Sequence, residues 1–164
     1  MSVDNKAFRQ AVGQFVTGVT VIATEFDGSI RAMTANSFTS LSLDPPLVLF
    51  CVGKDAKLGQ LVRDVSGFSV NILQRDQQHL STYFAGGWKD ETPPPFAFEA
   101  WDGGPLLAGC AAALGCSLHA VHEGGDHWIV VGRVVNLYRH PEDVTPLLFW
   151  SGRYHSLETP APTR

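Results

Sequence analysis

The runs CAAALGCSLHAVH at residues 110–122 and HWIVVGRVVNLY at 127–138, with EGGD at 123–126 between them, read as one long β-hairpin. Both arms are apolar and the second is rich in β-branched residues, and glycine-rich turns between such arms join antiparallel strands. Working outward, Val19–Phe26 and Ile30–Thr34 flank the hairpin signal Asp27-Gly28. Leu47–Val52, after the Pro45-Pro46 break, reads as a strand buried on both faces, and Phe68–Leu73 as another. Beyond the long hairpin, a last strand Leu147–Trp150 leads into Ser151-Gly152-Arg153-Tyr154. Many short strands, hairpin turns and few helices point to a mainly β fold, a closed or nearly closed antiparallel barrel without exposed edges. Strands do not alternate with long helices, which argues against a doubly wound sheet.

The expected helices are short. Phe8, Ala11, Val12, Phe15 and Val16 keep helical spacing behind Asp4 as N-cap, with Gly18 ending the segment. Leu58, Leu61, Val62 and Val65 predict a second helix capped by Asp55, and Leu80, Tyr83 and Phe84 a third capped by Asp76. Gly86 to Pro105 reads as a long surface loop with one short strand around Phe96–Trp101, and loops of that length tend to be functional. The 164 residues fit one domain, with a core at about 7–155 and a flexible tail at 156–164.

Composition narrows the class. The chain is 45% apolar and 17% charged with net charge −4, an ordinary globular balance. No cluster of Lys or Arg offers a surface for nucleic acid or anionic membrane. No apolar run approaches the roughly 18 residues of a membrane span, and Met1–Lys6 shows no signal pattern, so a cytoplasmic protein is expected. Three cysteines without CxxC spacing suit neither a disulfide framework nor a zinc site, and Cys51 reads as a core residue. No metal is expected: His119 and His122 are three apart on a strand and point to opposite faces.

The search for chemistry removes most motifs. There is no GxGxxG after a strand, no GxxxxGK[ST], no HExxH and no GxSxG. What remains is Thr34-Ala35-Asn36-Ser37-Phe38-Thr39-Ser40-Leu41-Ser42, which by pattern alone suits a strand end or turn.

That run, followed by Asp44-Pro45-Pro46-Leu47, resembles the fingerprint of the flavin-reductase-like family of split-barrel flavoproteins. The opening Phe8-Arg9 and Phe15-Val16-Thr17-Gly18-Val19-Thr20-Val21 is similar to the family's start. Val70-Asn71-Ile72-Leu73 after Phe68, Gly125-Asp126-His127 with Gly132, and Leu148 to Tyr154 follow in the family's order. The resemblance implies a Greek-key split β-barrel of six or seven strands with a few short flanking helices. It also implies a homodimer with flavin near the subunit interface, and the reductase component of a two-component flavin-dependent monooxygenase. Such a reductase takes NADH or NADPH, reduces FMN or FAD, and releases reduced flavin to a separate oxygenase. FMN against FAD, and NADH against NADPH, stay open. A tight flavin-binding electron-transfer protein, and a split barrel without flavin, are the alternatives.

Under that resemblance the residues acquire roles. Backbone N–H groups and short side chains of Ala35, Asn36 and Ser37 suit the polar edge of an isoalloxazine, and Thr34 and Ser42 the ring or ribityl chain. Lys54 and Lys57, at the start of the Asp55-capped helix, suit the phosphate, although they read equally as solvated surface lysines. His127 resembles the family histidine near the nicotinamide, and by pattern alone is a polar residue after a turn. Arg153 and Tyr154 resemble a pair that lines the pocket, and by pattern alone cover a barrel end. The Trp88–Trp101 loop reads as a lid or a dimer contact. Direct hydride transfer needs positioned rings more than a general acid or base.

Overall fold

A computed structural model describes residues 3–157; most of the expected tail, 158–164, lies outside the described residues. The long hairpin forms as β9 (Ala112–Gly124) and β10 (His127–Arg139) around a two-residue turn, Gly125-Asp126. It is the centre of a seven-stranded antiparallel sheet. Earlier strands are β1 (Thr17–Gly18), β2 (Thr20–Phe26), β3 (Ser29–Ala35), β4 (Thr39–Leu43), β5 (Pro46–Gly53) and β6 (Gly67–Ile72). The two-stranded pair β7 (Phe98–Glu99) and β8 (Leu106–Leu107) sits in the long loop. The large sheet has the order β3-β2-β6-β9-β10-β5-β4. Laid flat, its outer strands would stand about 29 Å apart at ~4.8 Å per strand. Yet β3 and β4 are joined by only Asn36, Ser37 and Phe38, whose chain spans at most about 14 Å. The sheet is therefore rolled into a barrel split along one seam, between the free edges of β3 and β4.

The interior is filled by Ile22, Val48, Phe50, Phe68, Val70 and Val130, all buried. Phe50 and Phe68 meet edge to face at 5.0 Å between ring centres, and the Phe68 ring lies against Gly132, where the β9–β10 register shifts. A second cluster, Val19, Val21, Leu73, Leu80, Leu107 and Leu147, packs against Phe84, Phe98, Phe149 and Tyr154. In β5 only alternate residues, Val48, Phe50 and Val52, are buried, so the expected strand buried on both faces has one face half exposed. All three thiols are free. Burial pushes Cys110 up to about 11 and Cys116 up to about 12, and raises Cys51 as well, so none carries thiolate character at neutral pH.

The helices depart most from expectation. Helix α1 spans Asn5–Val12, with Asp4 accepting from the Ala7 N–H at 2.9 Å. It ends at Gly13, before Phe15 and Val16; Gly18 instead pairs with Leu148. Residues 54–65 form a succession of turns, with Gln60 N–H bonded to Ala56 and Leu61 N–H to Leu58, and no regular helix. The reason lies in Gly59: a Cβ there would collide with the Gly53 carbonyl, so the chain folds back on β5 where a helix would carry it away. Asp55 accordingly caps nothing. Leu58, Val62 and Val65 still bury their side chains. Helix α2 is Gln78–Phe84, entered through a 3₁₀ turn at Arg75–Gln77. Asp76 pairs with Arg75 at 3.4 Å, and the Gln77 side chain accepts from the Gln74 N–H at 3.2 Å in place of an Asp76 cap.

The long loop is anchored in the protein. Gly103 and Gly104, both at positive φ, lie on the backbones of β9 and β6, so close that a Cβ would clash. Buried Asn71 donates to the Val21 carbonyl at 3.1 Å and accepts from the Leu107 N–H at 2.8 Å, tying the loop's end to β2. Finally, β11 (Leu147–Trp150) turns through Ser151-Gly152, both at positive φ, into a strand the sequence did not announce, β12 (Arg153–Ser156). Among the described residues no helix is long and apolar enough to cross a membrane.

Candidate functional site

The polar run lies along the seam. Ser37 sits where β5 has passed beyond β4, and its hydroxyl takes the place of a neighbouring strand. Its Oγ donates to the Cys51 carbonyl at 2.9 Å and accepts from the Cys51 N–H at 3.0 Å. Thr34 donates to the Ser81 carbonyl in α2 at 2.7 Å. Ser81, fully buried, shares a 2.8 Å hydrogen bond between its Oγ and the Tyr154 hydroxyl. The Tyr154 ring rests edge-on against Phe149 at 5.4 Å. Three elements distant in sequence thus meet at one point. Ala35 is buried, and its carbonyl accepts from Thr20 Oγ1 at 2.7 Å. Asn36 is exposed and donates to Thr17 Oγ1 at 3.3 Å. The hydroxyls of Thr34 and Ser37 are thus committed to main-chain partners, and the Asn36 carboxamide oxygen and the seam's backbone groups are what a ligand would meet.

A cleft of about 980 Å³ opens along the free edge of β3. Ile30–Thr34 form one side, Ala56–Leu58 the second, and the end of α2 with Phe96 and Phe98 the third. It lies at the upper end of the ~300–1,000 Å³ typical of small-molecule sites. Of the expected residues it brings together Thr34 and Lys57. It adds Arg31, which sequence reasoning missed because a lone arginine in a strand reads as a solvated face. Arg31 on the β3 edge and Lys57 on the 54–65 segment suit an anionic ligand. A second cleft, about 570 Å³, is rimmed by Glu25, Glu99 and Asp102, and those carboxylates repel a phosphate.

The other expected residues do not line the β3 cleft. Lys54 is paired with Glu123 at 3.4 Å and lies 4.5 Å from the Trp128 ring centre, which Arg63 also covers at 4.2 Å. It clamps the 54–65 segment to β10 and does not line the cleft. With no helix after Asp55, the expected helix N-terminus for phosphate is absent too. His127 begins β10 opposite Gly53, half exposed, with Nδ1 at 2.8 Å from Asp126 Oδ1. The hydrogen bond to His127, then its charge, holds the Asp126 carboxyl below the usual carboxylate value. His127 is not among the residues that line the cleft. Ser42 pairs with Leu47, four residues along β5 from Cys51, or roughly 13 Å, so it does not join Asn36 and Ser37. Arg153 is exposed opposite Trp150, on the face of β12 turned away from Ser81. Ser81 was also missed: its helix was legible from Leu80, Tyr83 and Phe84, but a serine among them carries no signal.

Comparison with known proteins bears directly on this arrangement. Residues 12–158 match the flavin reductase like domain. The sequence is 42% identical to the reductase subunit of a flavin-dependent monooxygenase from Rhodococcus jostii, over 99% of this chain and 85% of that protein. A flavin reductase solved in its native state superposes with TM-score 0.90 at 40% identity, over 96% of this chain and 100% of the other. An NADH:FAD oxidoreductase of Streptomyces globisporus, solved with NAD and FAD fragments, gives 0.85 at 39% identity over 99% of each. The split, rolled sheet, the polar run along its seam and these similarities agree: the chain belongs to the flavin reductase-like family.

Proposed function

We propose that this protein is a single-domain, cytoplasmic NAD(P)H:flavin reductase that supplies reduced FMN or FAD to a separate flavin-dependent monooxygenase, and that it works as a homodimer. The observation that carries the reading is the cleft along the free β3 edge, where Arg31 and Lys57 meet an aromatic wall beside the polar seam. The donor set fits a flavin. Lys57 and Arg31 would neutralise its phosphate, while Asn36 and the seam's main-chain groups would meet the polar edge of the ring system. The bound flavin supplies the chemistry itself, acceptance of a hydride from the nicotinamide.

The chain's own part is binding and alignment. Ser37, locked on Cys51, fixes the β3–β4 crossing so that Asn36 presents its amide in one orientation. The Thr34–Ser81–Tyr154 links hold α2, and with it the aromatic wall, against β3. His127, oriented by Asp126, would order the nicotinamide from the opposite side of the turn at Gly53. Direct hydride transfer asks the chain to align the two rings and requires no proton donor.

Oxidation of NADH and of NADPH, followed at 340 nm with excess FMN, FAD or riboflavin, tests the proposal. Turnover that saturates with free flavin is the expected result. Absence of nicotinamide oxidation with every flavin would overturn it.

A further inference from the structure

Tyr83, Phe84, Phe96 and Phe98 line one wall of the cleft, and Trp88 packs against Tyr83 behind them. Tyr83 and Phe84 meet at 5.0 Å between ring centres, Phe84 and Phe96 at 5.0 Å, Phe96 and Phe98 at 5.8 Å, and Tyr83 and Trp88 at 6.5 Å. Phe96 touches three of these rings yet is 39% exposed. Its contacts with Phe84 and Phe98 are edge to face, at 65° and 76°, and with Tyr83 tilted at 41°. No ring stacks in parallel on Phe96. A phenyl group held by its neighbours, with no stacked partner and opening on a cleft that also holds two cations, suits a flat heteroaromatic group joined to phosphates.

We propose that this wall, centred on Phe96, is an adenine-stacking subsite, so that the cleft takes a dinucleotide through its adenosine end. An isoalloxazine ring needs hydrogen bonds along its polar edge, which the seam at Asn36 offers and a wall of carbon rings does not. Adenine held by stacking alone loses little, because every base presents a π-face whatever its edge contacts. Arg31 and Lys57, across the same cleft, would take the pyrophosphate between the two halves. The adenine belongs either to FAD or to the nicotinamide dinucleotide, and the two sources separate by experiment.

The inference rests on the flavin-reductase reading, which fails separately if the unaltered protein oxidises no nicotinamide. KM would be measured for FAD against FMN, and for NADH against reduced nicotinamide mononucleotide, in the unaltered protein, Phe96→Leu and Phe96→Trp. Phe96→Leu keeps the apolar volume and removes the π-face. It should raise KM for the adenine-bearing member of one pair about tenfold relative to its adenine-free member, with kcat much less affected, and Phe96→Trp should restore it. The pair that responds identifies the source. AMP should inhibit competitively against the same substrate, and more weakly in Phe96→Leu. An equal rise for FAD and FMN would put the isoalloxazine itself on the wall. That result, or unchanged KM ratios with no AMP inhibition, would overturn the subsite.

Discussion

Beyond Leu49, strand β5 has no main-chain neighbour on its β4 side, and the Ser37 hydroxyl satisfies both polar groups of Cys51 there. Ser37→Ala should therefore lower stability by about 1 kcal/mol in urea titration and speed amide exchange at Cys51, while Ser37→Thr retains both. At the other corner, His127→Ala should raise KM for the nicotinamide, or lower kcat, about tenfold, roughly 1.4 kcal/mol. Stopped-flow reduction of the flavin complex reads this, with flavin Kd little changed; a collapse of about 10²–10⁴ would mark a proton donor instead. The same histidine depresses the Asp126 pKa from its ordinary 3.8. A depressed carboxyl stabilises the fold above its unfolded pKa, and that contribution is lost as pH falls through the lower folded value. An NMR titration should place Asp126 below 3.8 in the native protein and return it toward 3.8 in His127→Ala.

Among the elements, α2 is the one that a single side chain holds most clearly. Tyr154→Phe leaves the buried Ser81 hydroxyl without its partner and should cost about 1–3 kcal/mol, seen as a lower melting temperature. Flavin KM should rise alongside, because α2 carries Tyr83 and Phe84 into the cleft. The elements also show which parts of the fold could be read from the chain. The β9–β10 hairpin was legible because its turn and its apolar arms are local. The 54–65 helix was not, because the Gly59 approach to the Gly53 carbonyl is a tertiary contact that helical spacing cannot reveal. Strand β12 was missed since Ser151 adopts positive φ, a conformation its type rarely signals. The site divides the same way: Thr34 to Ser37 stood out as a polar run, whereas Arg31 and Ser81 acquire meaning only from partners far along the chain.

Among the described elements, helix α1 is exposed at every residue. Phe8, Val12, Phe15 and Val16 are 58%, 55%, 76% and 52% exposed. Eight residues are too few for a helix to persist in water without packing, since isolated helices below ~12–15 residues are marginal. A second copy is the partner this points to, and light scattering should return about twice the 17.8 kDa chain mass. Phe15→Glu should shift that mass toward the single chain; a clean monomer that still reduces flavin would remove the shared-interface arrangement. The anchoring of the long loop carries a different consequence, for how such a protein diversifies. From Gly103 to Leu107 the chain is pinned by glycine contacts and by Asn71, while the stretch bearing Trp88 and Phe96, between that pin and the end of α2, is held through its aromatic contacts. Insertions and exchanges between Gly86 and Phe96 should reshape the mouth of the cleft without disturbing the barrel. The segment should then act as a replaceable cassette: grafting it between related reductases should transfer cofactor preference where point substitutions in the barrel only weaken it.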